Sequence, residues 1–213
     1  MRYDELLEAV GDLGVFESSL LLAGEVDRVD VASQLSRWTK AGRLVQLRRG
    51  LYALAEPYAR RRTDVFAVAN LLVQPSYVSL QSALAYHGLI PDVVQAVTSV
   101  TTGRPQERDT PLGRFQYRHV KPAWLWGASV EAVGGDNALL AMSEKALLDL
   151  AYLERDSGDP RWVSELRLQN LERVDVERLR SGAERSGSRH VRDFVDAVLG
   201  LREQEGEQGG WRT

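Results

Sequence analysis

Between Asp30 and Leu54 the apolar residues recur first at helical and then at strand spacing. Val31, Leu35 and Trp38 fall at i, i+4 and i+7, one apolar stripe of an amphipathic helix. Asp30 offers a side-chain oxygen that can cap the N-terminus of that helix. Gly42 can end it, because glycine takes the left-handed C-terminal conformation without a Cβ penalty. Leu44-Val45-Gln46-Leu47, Arg48-Arg49-Gly50 and Leu51-Tyr52-Ala53-Leu54 then read as strand, glycine turn and strand. Upstream, residues 2–11 read as a short helix with Leu6, Leu7 and Val10 inward. Glu17 to Ala23 read as a second short helix, stopped by Gly24.

Three short helices followed by a two-stranded hairpin outline a winged helix-turn-helix over residues 1–60. Glu56-Pro57-Tyr58 and Arg60-Arg61-Arg62 mark a linker or a helix entry, with the boundary near residues 57–63. Residues 61–205 read as a mixed second domain. Helices are expected over 63–73 and 79–88, and strands over Val97–Thr102, Arg114–Val120 and Ser129–Val133. A helical stretch is expected from Asp136 or Asn137 to about Glu154, interrupted near Ser143, with further helices near 161–170, 175–184 and 189–203. Residues 206–213 read as a frayed tail. The fold class is α+β, and 213 residues suffice for two small domains.

A net charge of −3 hides a strong asymmetry. Residues 31–62 carry eight basic side chains against Glu56 alone, while residues 1–30 and 131–213 are acidic. A basic stripe in an acidic chain fits either the footprint of a polyanion site or a solvated arginine-rich face, and the residue pattern has to decide between them. On the expected helix, Ser33, Ser36, Arg37 and Lys40 lie opposite the apolar stripe, with Gln34 at its margin. Gln and Arg can hydrogen-bond base edges, while Ser and Lys suit phosphates or bases. Arg48 and Arg49 at the hairpin tip, and Arg43 just past Gly42, are placed to reach backbone phosphates or a minor groove. The candidate DNA-binding set is therefore Ser33, Gln34, Ser36, Arg37, Lys40, Arg43, Arg48 and Arg49. Trp38 completes the apolar stripe and is expected in the core.

Two sequence blocks in this region, Leu35-Ser36-Arg37-Trp38-Thr39-Lys40-Ala41-Gly42-Arg43-Leu44 and Leu47-Arg48-Arg49-Gly50-Leu51-Tyr52, resemble the N-terminal winged helix of the AbiEi family. Members are antitoxins and transcriptional regulators of bacterial type IV toxin–antitoxin systems. Residues 75–90 (Pro-Ser-Tyr-Val-Ser-Leu-Gln-Ser-Ala-Leu-Ala-Tyr-His-Gly-Leu-Ile) and Glu144-Lys145-Ala146-Leu147-Leu148-Asp149-Leu150 resemble the family's C-terminal antitoxin region. Ser143 stands where the family usually has proline; serine can cap a helix that proline would start. The resemblance implies autorepression through inverted repeats in the chain's own promoter, with a homodimer on DNA as one arrangement. It also implies neutralisation of an AbiEii-like toxin, itself similar to nucleotidyltransferases, in a phage-defence setting. The alternative is a protein-interaction module that inhibits the toxin by direct binding, without specific DNA binding.

Features of an enzyme are weak. Cysteine is absent, which removes thiol nucleophiles and zinc–thiolate sites. His87, His119 and His190 have no metal-ligand partner at helical spacing, and no phosphate loop, dinucleotide fingerprint or nucleophile elbow occurs. Gly187-Ser188 with Asp193 and Asp196 faintly resembles a nucleotidyltransferase motif, but the carboxylates fall on what reads as the solvated face of a helix. Lys145 and Asp149, at i, i+4, read as a structural ion pair beside Glu144. No catalytic residue, metal or cofactor is expected. No apolar run reaches the length of a membrane span, and Met1-Arg2-Tyr3-Asp4-Glu5 lacks the order of a secretory signal, so a cytoplasmic protein is expected.

Overall fold

The structure, a computed structural model, describes residues 1–22, 27–91 and 94–209, the last four through their backbone. Among them are eight α-helices and nine strands in two sheets, a mixed α+β protein. The N-terminal part contains α1 (Tyr3–Val10), β1 (Val15–Glu17), a 3-10 turn (Ser18–Leu22), α2 (Arg28–Lys40), β2 (Leu44–Arg48) and β3 (Leu51–Leu54). The expected hairpin forms, and β1 adds to it antiparallel, in the order β1-β3-β2. Val15-Phe16-Glu17 was not expected as a strand. Three residues carry too little alternation to read, and pairing with Tyr52 and its neighbours decides the matter. The stop expected at Gly24 lies outside the described residues.

Helix α2 starts earlier than expected. Asp27, not Asp30, is its N-cap, accepting from the Val29 N–H at 2.8 Å, and Asp30 lies in the first turn. There its charge favours the positive end of the helix dipole. At the other end Gly42 takes φ +69°, and its N–H and that of Ala41 close the last carbonyls. Val31, Leu35 and Trp38 are buried together with Leu6, Val10, Phe16, Leu44, Tyr52 and Leu54. Burying a side chain such as Leu35 contributes about 1.5–3 kcal/mol.

The sheet's other face joins a second, larger core. Val15, Leu47, Leu51 and Ala53 pack there with residues of the C-terminal part. That part holds α3 (Val65–Leu72), β4 (Ser76–Val78), α4 (Leu80–Tyr86), β5 (Val97–Thr101), β6 (Gln106–Thr110), β7 (Gly113–His119), β8 (Ala128–Val133), β9 (Asp136–Ala141) and α5 (Ser143–Leu153). Helices α6 (Pro160–Glu165), α7 (Val176–Ser186) and α8 (Arg189–Gly209) follow. Six strands make one mixed sheet in the order β6-β7-β5-β4-β9-β8.

The helix expected from Asp136 is instead strand β9, and the helix proper begins at Ser143. Gly134 and Gly135, both at positive φ, turn the chain so that β9 pairs residue by residue with β8. Its central place between β4 and β8 overrides the helical preference of Ala138-Leu139-Leu140-Ala141. The tail expectation is corrected in part, since α8 continues through Gly209; residues 210–213 lie outside the described residues. No helix among the described residues is long and apolar enough to cross a membrane.

The triple arginine clasps the linker. Arg60 pairs with Asp12 at 3.1 Å, Arg62 with Glu56 at 2.7 Å, and Arg61 with Asp136 of β9. Asp136 also accepts from the Asp64 N–H at 2.8 Å. The N-terminal part is thereby tied to the β8–β9 hairpin.

Candidate functional site

The eight basic residues of segment 31–62 divide into two groups. Arg48, Arg60, Arg61 and Arg62 are paired with Glu17, Asp12, Asp136 and Glu56. Arg37, Lys40, Arg43 and Arg49 are exposed and pair with no carboxylate among the described residues. Arg37 and Lys40 sit in the last turns of α2, where cations meet the negative end of the helix dipole. Arg43 lies over the Tyr3 ring, 4.9 Å from its centroid, and Arg49 stands at the β2–β3 turn beside Gly50, whose φ of +81° makes the turn possible. Ser33 and Ser36 are exposed on α2, opposite the buried stripe.

Two members of the expected set are spent differently. Arg48 is part-buried, bonding Glu17 at 2.8 Å and the Leu71 carbonyl at 3.0 and 3.2 Å, so its fork joins the hairpin to α3. In the amide orientation that satisfies both groups, Gln34 bonds the backbone ends of Met1 at 2.7 and 3.2 Å. The structure thus gathers Ser33, Ser36, Arg37, Lys40, Arg43 and Arg49 as exposed groups of the N-terminal part, and sets Arg48 and Gln34 apart.

A second concentration of charge is buried in the C-terminal part. Asp149, fully inaccessible, accepts from Ser79 Oγ at 2.7 Å, Trp124 Nε1 at 2.8 Å, Tyr77 Oη at 3.0 Å and Lys145 Nζ. Lys145 Nζ is boxed by the rings of Trp124, Trp126 and Tyr77, at 4.4, 4.8 and 5.7 Å from their centroids. Burial pushes the Lys145 amine down and the Asp149 carboxyl up, each opposed by the other's charge and by the bonds on the carboxylate. Burial likewise raises the Tyr77 phenol, and the adjoining Asp149 charge adds to that. The sequence shows the Lys145–Asp149 spacing and places Tyr77 and Ser79 in the stretch that carries the resemblance, but it links neither them nor Trp124 to the ion pair, from which they lie up to 72 residues away in the chain.

The histidines make local contacts: His87 Nε2 meets the Ala141 carbonyl, His119 Nδ1 that of Gly103, and His190 Nδ1 the Ser188 hydroxyl. Asp193 and Asp196 lie on the exposed face of α8, with Asp193 near Arg189 at 3.6 Å. Among the described residues no three His, Asp or Glu cluster closely enough to hold a metal ion. Compared with known families and curated proteins, the chain matches no family model and no curated sequence.

Proposed function

We propose that the chain is a sequence-specific DNA-binding regulator whose N-terminal part is a winged helix-turn-helix, with α2 as recognition helix and the β2–β3 turn as wing. The order helix, strand, short helix, helix, hairpin, with β1 added beside β3, supports that reading. The observation that carries it is the division of cations: four are neutralised by carboxylates, and four stay exposed on α2 and the ends of the hairpin. In this reading Ser33, Ser36 and Arg37 meet base edges, Lys40, Arg43 and Arg49 meet phosphates, and Arg48 and Gln34 position the unit.

The AbiEi resemblance extends the proposal to autorepression and to an antitoxin role against a nucleotidyltransferase-like toxin. In support, the two later stretches that carry the resemblance meet in one buried network, Tyr77 and Ser79 from the first and Lys145 and Asp149 from the second. Binding is tested by the anisotropy of labelled upstream duplex with wild type and with Arg37→Ala/Lys40→Ala. Loss of binding in the double variant, with growth rescue from the toxin retained, is the expected outcome. Unchanged binding would remove α2 as the recognition helix.

A further inference from the structure

Helices α5 and α7 enclose a half-open cavity of about 160 Å³ floored by Trp126 and Gly127. A cavity of about 150 Å³ accommodates a ligand the size of benzene. On α7, Arg178, Ser181, Gly182 and Arg185 fall at i, i+3, i+4 and i+7, so one helical face lines it. Gly182 lets that face come close: a Cβ there would stand 2.2 Å from Leu148 Cδ1 and 3.1 Å from Trp126 Cη2.

The walls carry both signs of charge. Arg185 is exposed, lies over the Trp126 ring at 4.7 Å and pairs with no carboxylate among the described residues. Among the described residues Arg178 pairs only with Asp175, at 3.4 Å, whose side chain is about half exposed. Facing them from α5 is Glu144, 6% exposed, whose Oε1 accepts from Ser143 Oγ and the Asp175 N–H; Oε2 takes no bond among the described residues. Lys145 beneath is balanced by Asp149. Met142 and the Trp126 ring supply the accessible apolar surface over the fully buried Leu148, and the Trp126 indole N–H is buried without an acceptor among the described residues.

A simple anion would meet the Glu144 carboxylate, and a simple cation the two guanidinium groups. We infer that this cavity binds a small zwitterion with an apolar body, of the α-amino acid class. Its carboxylate faces Arg185 and Arg178 on α7, its ammonium faces Glu144 on α5, and its side chain lies against Met142 and Trp126. The inference is independent of the DNA-binding reading.

Calorimetric titration of the full chain with L-alanine, L-valine and L-leucine tests it. Two valine analogues serve as controls: 2-methylpropylamine lacks the carboxylate, and 3-methylbutanoate lacks the ammonium. At least one amino acid is expected to bind, and each analogue to bind at least about tenfold more weakly than L-valine, the scale of one charge-assisted bond. Arg185→Ala, at an exposed position, is expected to weaken binding by a similar factor. Glu144→Gln, which keeps an oxygen for the Asp175 N–H, should remove the advantage over 3-methylbutanoate. No binding of any of the three amino acids at about 10 mM, well above a millimolar Kd, would overturn the inference. So would analogues that bind as well as L-valine, or an Arg185→Ala variant that binds like wild type.

Discussion

Asp149→Ala takes the single acceptor out of a buried network of four donors. Lys145 would be left as an ammonium 1% exposed, and Tyr77 Oη, Ser79 Oγ and Trp124 Nε1 would lose their partner. Stranding one member of a buried ion pair costs about 3–5 kcal/mol, and each orphaned neutral donor about 1–3 kcal/mol, terms that do not add fully. The expected loss is at least about 4 kcal/mol, a large share of the ~5–15 kcal/mol that holds most domains folded. Lys145→Met is expected to cost less, because three neutral donors still serve the carboxylate. The double variant Lys145→Met/Asp149→Leu is expected to be more stable than Asp149→Ala, since no buried charge remains. Urea unfolding followed by circular dichroism, with the slope m checked for constancy, measures all three. A loss below about 1 kcal/mol in Asp149→Ala, or a double variant costing the full sum of the singles, would contradict a coupled buried network around Asp149.

Adjacent arginines are expected to behave oppositely. Arg49→Ala should leave stability unchanged and lower the salt slope of DNA binding by about one, whereas Arg48→Ala should cost about 1–3 kcal/mol by freeing Glu17 and the Leu71 carbonyl. Thermal melts and salt titrations of the two variants separate these roles. Gly182→Ala is expected to destabilise by about 1–3 kcal/mol, because its Cβ meets buried Leu148 and the Trp126 ring; a melt unchanged from wild type would contradict the close approach of α7. At high pH the phenols of Tyr77 and Tyr117 decide. Burial holds both above the ordinary 10.0, so their contribution is fully present below pH 10 and is lost as pH rises. Lys145, held below the ordinary 10.5, works in the opposite sense up to that value. Above pH 10.5 stability should therefore fall, with Tyr77 and Tyr117 together contributing up to about 2.7 kcal/mol per pH unit and Tyr117→Phe removing half of that share, as read from urea midpoints.

The helix α2 was legible because three large apolar residues at one helical spacing admit a single inward face, and Gly42 marks its end. Strand β9 was not, because Asn137-Ala138-Leu139-Leu140-Ala141 alternates at no clear period and its partners lie on β4 and β8. Strand β6, Gln-Glu-Arg-Asp-Thr, is polar throughout and exists as an edge by pairing with β7. In the candidate interface, Ser33, Ser36, Arg37 and Lys40 could be read from the face opposite the stripe. The division between Arg48 and Arg49 could not, since it depends on Glu17 and Leu71, contacts 31 and 23 residues away in the chain. The Lys145–Asp149 spacing was visible, while its burial follows from aromatic residues that no local pattern links to it.

Fluorescence anisotropy of the full chain on its own upstream duplex and on a scrambled one, across ~50–200 mM salt, measures sequence-specific DNA binding itself. Three exposed cations acting on phosphates, Lys40, Arg43 and Arg49, give a slope of log K against log salt of about −2.7, a loss of roughly 40-fold over that range. A preference for the upstream duplex of ~10³-fold or more is the predicted result. Equal weak binding to both duplexes, or none, would contradict it.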